Sequence, residues 1–187
     1  METYIKHYPS HITNLRYYSI DMTALLKTQA PFNQHPVLAE LATIESSFAN
    51  SFDSKNQSII TLNELASLAA EAWATLQLNF QPSVQILPMA FNSFAIWRAI
   101  SNDDAPPALE TASENLNWVL WRRADLISHY RPLDVAEHVA LNLALQGENF
   151  AVICEALLDF FSEEETPMKA VSYLQSWITE EMLSSLD

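Results

Sequence analysis

The side chains best suited to recognition chemistry fall in one stretch, WVLWRRADLISHY, running from Trp118 to Tyr130. It holds two tryptophans and the adjacent Arg122 and Arg123, and Arg131 follows at once. A guanidinium presents a planar fork of donors that matches a carboxylate or a phosphate, while an indole packs, stacks and donates a single N–H. Three uses fit these residues. The tryptophans can be core aromatics with the arginines solvated or paired to nearby acids. The arginines can meet nucleic-acid phosphates. Or the segment can form a groove for a peptide, with LISHYR as an exposed strand edge to which an extended chain adds through main-chain hydrogen bonds.

Reactive constellations are not readable elsewhere. There is no H-E-x-x-H, no Walker A loop, no G-x-G-x-x-G and no G-x-S-x-G, and a single glycine leaves nothing from which to build a phosphate-cradling loop. His7 and His11 are four apart, but Pro9 between them prevents the helical pair a metal would need. His138 reads as a structural residue inside a helix. Glu180 and Glu181 read as neighbours on a solvated helix face, pointing apart. The one cysteine, Cys154, sits in FAVICEALL, where it reads as a small apolar side chain on a helix. A lone thiol suits a reducing cytoplasm, and no apolar run reaches the ~20 residues needed to span a bilayer. METYIKHYPSH has no apolar signal region.

Composition narrows the partners. Nine Lys+Arg stand against 23 Asp+Glu, a net charge of -14. Binding a phosphate backbone draws its affinity from a concentrated basic footprint, and the overall field here opposes that. A basic spot around Arg98, Arg122, Arg123 and Arg131 is therefore locally informative.

The elements that must position these residues read as an α+β protein. Residues 1–75 form a helical region. Its helices are Asn14–Gln29, then PVLAELATIESSFANSF, then TLNELASLAAEAWATL, opened by a Thr61/Glu64 capping box. Residues 76–187 hold a small antiparallel sheet and a three-helix region, the two parts making one compact unit. Leu76–Met89 alternates like a strand with Pro82 as a bend, FNSFAIWRAI is a short helix and SNDDAPPALETASEN a loop. The hairpin turns at Ala124-Asp125. Three C-terminal helices follow, capped by Asp134, Asn149 and Thr166-Pro167, with Gly147 ending the first. A three-stranded antiparallel sheet followed by three helices is a winged-helix or leader-recognition-like order.

Several short motifs recur in order along nearly the whole chain: P-S-x-x-x-N-L near the start, Glu45–Asp53, Pro82-Ser83-Val84, Ile96–Ala99 (I-W-R-A) and Leu120–Arg123 (L-W-R-R). Together they resemble the partner-protein family of methanobactin biosynthesis. That family is related to the C-terminal region of a family labelled DNA-binding, whose members accompany multinuclear non-haem iron oxidases. The resemblance implies a non-catalytic subunit in a heterodimer with such an oxidase. It would hold the leader of a ribosomally made precursor peptide and present its cysteine for oxidation to a copper chelator. No cofactor is expected on this chain, since the iron would be ligated by the partner.

On that reading the peptide would meet Arg122, Arg123, Leu126, Ile127, Ser128, His129, Tyr130 and Arg131. The oxidase would meet Arg16, Tyr17 and Tyr18, or Trp97 and Arg98, because tyrosine, tryptophan and arginine dominate interface hot spots. Helix packing explains Tyr17 and Tyr18 equally well. Neither nucleic acid nor a membrane is an expected partner. The alternative function is a winged-helix-type DNA-binding regulator, and a free-standing enzyme is a third.

Overall fold

The computed structural model describes residues 2–9 and 19–187. The chain divides into two compact units, Met1–Ala49 with Met89–Leu116, and Asn50–Pro88 with Asn117–Asp187. Among the described residues no helix is long and apolar enough to cross a membrane.

The first unit contains α1 (Glu2–His7), α2 (Met22–Thr28) and most of α3 (Val37–Asp53). It also holds the end of β2 (Gln85–Phe91), α5 (Ser93–Ser101) and the start of β3 (Thr111–Arg122). Of the helix expected over Asn14–Gln29, residues 14–18 lie outside the described residues, 19–21 form a turn, and α2 is the helical part. On α3, Ala39 and Ile44 are buried while Phe48 stacks on Trp97 of α5 at 4.6 Å. Glu40 of α3 covers the margin of β2: its carboxylate accepts from the backbone N–H groups of Ala90 (2.8 Å) and Phe91 (3.4 Å) and from the Ser93 hydroxyl. A carboxylate laid on an edge strand satisfies donors that would otherwise template pairing with another chain.

The second unit contains α4 (Leu62–Ala66), β1 (Leu78–Phe80), β4 (Ser128–Pro132), α6 (Val135–Leu145), α7 (Phe150–Leu157), α8 (Thr166–Thr179) and β5 (Leu183–Leu186). Local signals start and stop its helices. Thr61 and Glu64 form the reciprocal capping box, Asp134 accepts from Glu137 N–H, and Asn149 accepts from Val152 N–H. Gly147, at φ 82°, ends α6, with Gly147 N–H donating to Ala144 O (3.0 Å) and Glu148 N–H to Leu143 O (3.1 Å). That pair of bonds is a Schellman closure, and its left-handed position suits glycine. α6 packs on α7 and α7 on α8. Val119 and Trp121 of β3, Ala140 and Leu141 of α6, Ile153 of α7, and Leu174 and Trp177 of α8 share one core. Each large apolar side chain buried there contributes about 1.5–3 kcal/mol.

The expected fold of a single three-stranded antiparallel sheet followed by three C-terminal helices, winged-helix or leader-recognition-like, is corrected. Among the described residues there are two antiparallel sheets, one of order β1-β5 and one of order β2-β3-β4. Leu76–Met89 is not one strand. Gln81 N–H donates to Met182 O (2.7 Å), Val84 N–H to Gln81 O (3.0 Å), and the turn at Pro82 sends the two halves to different sheets. The three C-terminal helices are present, but a strand follows them. Glu181 adopts a left-handed backbone (φ 61°) beyond α8, and the chain returns as β5, which pairs Leu186 with Leu78 and Leu183 with Phe80.

Two smaller expectations also change. TLNELASLAAEAWATL is helical only at Leu62–Ala66, with a 3₁₀ turn at Ala70–Ala72. Alanine propensity amounts to only tenths of a kcal/mol per residue, and packing Leu68 and Trp73 on the core overrides it. The last third of SNDDAPPALETASEN is strand, because β3 begins at Thr111.

Candidate functional site

The hairpin of β3 and β4 brings the sequence-singled residues together in the second unit. Its register pairs Val119 with Arg131, Trp121 with His129 and Arg122 with Ser128. Among the described residues β4 is the outermost strand of its sheet. The turn differs from the expected two-residue Ala124-Asp125. Arg123 N–H donates to Ile127 O (3.1 Å) and Leu126 N–H to Arg123 O (3.0 Å), so three residues, 124–126, close the loop. Asp125 Oδ1 accepts from Ile127 N–H at 2.9 Å. Three-residue hairpin loops of this kind place a left-handed residue last, which is ordinarily glycine. Here it is Leu126, at φ 67°.

Leu126 is thus disfavoured twice. A left-handed backbone costs a branched side chain roughly 1–2 kcal/mol, and the side chain is 52% exposed, beside Ile127 at 58%. Strained positions of this kind concentrate at functional sites.

The three arginines take different places. Arg122 is 8% exposed. Its guanidinium donates to Phe52 O, Ser54 O and Asn56 Oδ1 (2.6 Å), and its own N–H donates to Ser83 Oγ (3.1 Å). It ties the segment after α3 to the sheet. Arg131 donates from Nη1 and Nη2 to the two oxygens of Glu137 (2.7 and 2.6 Å) and from Nε to Glu180 (2.9 Å). Burial works against its charge, yet the hydrogen bonds to Glu137 and Glu180 win and push its pKa upward. Trp177 Nε1–H donates to Glu137 (2.9 Å), Trp121 Nε1–H donates to Glu180 O (2.8 Å), and Arg131 lies 6.0 Å from the Trp121 ring centroid. Arg122 and Arg131 therefore direct their donors inward. Arg123 is about a third exposed, and among the described residues its guanidinium donates from Nη2 alone, to Glu181 at 3.1 Å.

Glu137, Glu180 and Glu181 are the site residues that sequence reading passed over. Glu180 and Glu181 do not share a helix face, since α8 ends at Thr179 and both turn back to the hairpin arginines. No local signal announces this, because the pairs join residues 49 and 58 apart. The Ala124 N–H, then Arg123, hold the Glu181 carboxyl below its ordinary range. A depressed folded pKa stabilises the fold above the unfolded-chain value, and that stabilisation disappears as pH falls through the folded value. Glu181→Gln should therefore be less stable than wild type at neutral pH, by under about 1 kcal/mol for so exposed a pair. The gap should close below the carboxylate range in urea titrations run across pH. A gap that stays constant with pH would contradict this account.

The remaining predicted residues are placed as follows. Ser128 Oγ lies 3.1 Å from Ser51 Oγ. The His129 ring stacks on Trp121 at 5.7 Å, and its Nε2 is buried without a hydrogen-bond partner among the described residues. Tyr130 packs on Trp118, ring centroids 5.9 Å apart. Trp121 is buried, at 4% exposure, and Trp118 is half-buried. In the first unit Trp97 is engaged by Phe48 and Phe94, while Arg98 is exposed. Arg16, Tyr17 and Tyr18 lie outside the described residues.

No protein-family model matches this chain, and no curated protein matches it. The hairpin must be read from its own chemistry: an outermost strand, an exposed aliphatic pair on a strained loop, and one arginine with donors to spare.

Proposed function

We propose that this chain is a non-catalytic partner subunit that binds a multinuclear non-haem iron oxidase and holds the leader of a ribosomally made precursor peptide. It would present the peptide's cysteine for oxidative modification in methanobactin-type, copper-chelating peptide biosynthesis. The observation that carries the holding role is Leu126, an exposed leucine in a left-handed turn position. The motif resemblance supplies the identity of the partners. A leader residue covering Leu126 and Ile127 removes their apolar surface from water, and the adjoining β4 offers the outermost strand for an extended segment. The exposed Arg98 on α5 is a candidate contact for the oxidase. The single Cys154, whose thiol burial pushes up, suits the reducing cytoplasm in which we place the chain.

Co-expression with the genomic neighbours, followed by mass analysis of small cysteine-containing peptides, tests the role. The peptide's mass change should require this chain, and a change that persists when the chain is omitted removes the proposal. The hairpin has its own test in the double variant Leu126→Asn, Ile127→Thr. Asparagine tolerates the left-handed position and threonine keeps the β-branch, so the urea midpoint should not fall. Leader binding, read by calorimetry, should weaken at least about tenfold through loss of a central apolar anchor. Unchanged affinity would remove the hairpin from the docking surface.

A further inference from the structure

Beside the hairpin loop lies a cavity of about 110 Å³, lined among others by Lys55, Asn56, Arg122, Arg123, Ala124 and Glu181. Three cationic side chains surround one carboxylate there, in a chain whose net charge is -14. Arg122, held by Phe52 O, Ser54 O and Asn56 Oδ1, is a fixed charge in the wall. The other two cations have capacity left. Lys55 is exposed and makes no ion pair among the described residues. Arg123 uses Nη2 on Glu181 and carries further guanidinium N–H groups. Concave cationic sites with unused donors attract carboxylates through charge-assisted hydrogen bonds. The volume accommodates a carboxylate group with its nearest waters. A carboxylate offers two acceptor oxygens, which the remaining Arg123 N–H groups and the Lys55 ammonium can meet from two sides.

We propose that this cavity is a carboxylate-binding site, and that it takes an acidic side chain of the peptide held at the hairpin. The identity of that carrier rests on the peptide-holding role proposed above; the affinity for a carboxylate does not. The loop that presents Leu126 and Ile127 is closed by the Arg123–Ile127 hydrogen bond of 3.1 Å. One three-residue loop therefore joins an apolar anchor point to a cationic one. A peptide with an aliphatic residue close to an aspartate or glutamate fits both.

Glutarate, its uncharged analogue glutaramide, and inorganic phosphate are the probes, titrated separately while the backbone amides of Asn56 and Ala124 are followed by NMR. Glutarate should shift both amides saturably, and glutaramide should not. The variant Lys55→Gln, Arg123→Gln removes one exposed side chain and one member of a partly exposed ion pair, so it should keep its fold with a slightly lower urea midpoint and lose the glutarate response. An equal response to glutaramide, a stronger response to phosphate, or a response that survives the double substitution overturns the site.

The peptide arm uses the leader with its acidic residues replaced by amides. Its affinity for wild type should fall about tenfold, and its affinity for the double variant should match that of the unaltered leader. If leader binding needs Leu126 and Ile127 but ignores Lys55 and Arg123, the cavity proposal fails and the docking role stands. If glutarate binds as expected and the leader does not bind at all, the docking role fails and the carboxylate site stands.

Discussion

Glu137→Ala is expected to destabilise the protein by about 3 kcal/mol, because it removes one member of a largely buried ion pair and leaves the other with its charge. Glu137 is 6% exposed and accepts three hydrogen bonds, two from Arg131 and one from Trp177 Nε1–H. Breaking such a pair costs more than forming it contributes, since the stranded cation keeps its desolvation penalty. Arg131 retains Glu180 at 2.9 Å and a quarter of its side-chain exposure, which places the effect at the lower end of the range for buried pairs. Glu137→Gln keeps an acceptor for Trp177 and should cost less, about 1.5 kcal/mol. Replacing both partners, Glu137→Leu with Arg131→Met, should cost less than Glu137→Ala alone, because the one charge it strands, Glu180, is about a quarter exposed and can reach water. Urea unfolding of the three variants separates these cases. A double variant as unstable as Glu137→Ala would show that the pair itself, not the stranded charge, dominates.

The second large effect is expected at Arg122. Arg122→Met should lower stability by about 2.5 kcal/mol, through loss of charge-assisted hydrogen bonds to two carbonyls and one amide oxygen. Phe52 is 65% exposed, so the released segment can reach water, and this keeps the cost below that of fully buried orphan carbonyls. Arg122→Lys should not restore the loss, because an ammonium cannot span three acceptors arranged for a planar fork. Amide exchange should accelerate at 53–57 in both variants, while the helices of the core exchange as in wild type. Uniform acceleration across the second unit would mean that Arg122 supports the whole core and not one segment.

These two residues show how far the sequence could be read. The hairpin was legible, since a short run of aromatic and aliphatic residues over Trp118–Trp121, a turn and a return strand are short-range features. Its role as an edge followed only from the sheet order β2-β3-β4. Arg122 and Arg123 are adjacent in sequence, and nothing local distinguishes them. On a strand they point to opposite faces. One becomes a buried anchor for the chain after α3, and the other a partly exposed cation beside a cavity. Lys55, in the other wall of that cavity, carried no signal at all.

What the sequence determined by itself was local: the caps at Thr61, Asp134 and Asn149, the stop at Gly147, and the strand-turn-strand period around Trp121. Each depends on hydrogen bonds or side-chain directions within a few residues, so the residue types are enough. Tertiary structure alone decided the pairing of β1 with β5, the division of Leu76–Met89 between two sheets, and the meeting of Arg131 with Glu137 and Glu180. Those outcomes are settled by which distant surfaces exclude water together. A four-residue strand such as Leu183–Leu186 has too little intrinsic preference to declare itself until Leu78 and Phe80 lie beside it.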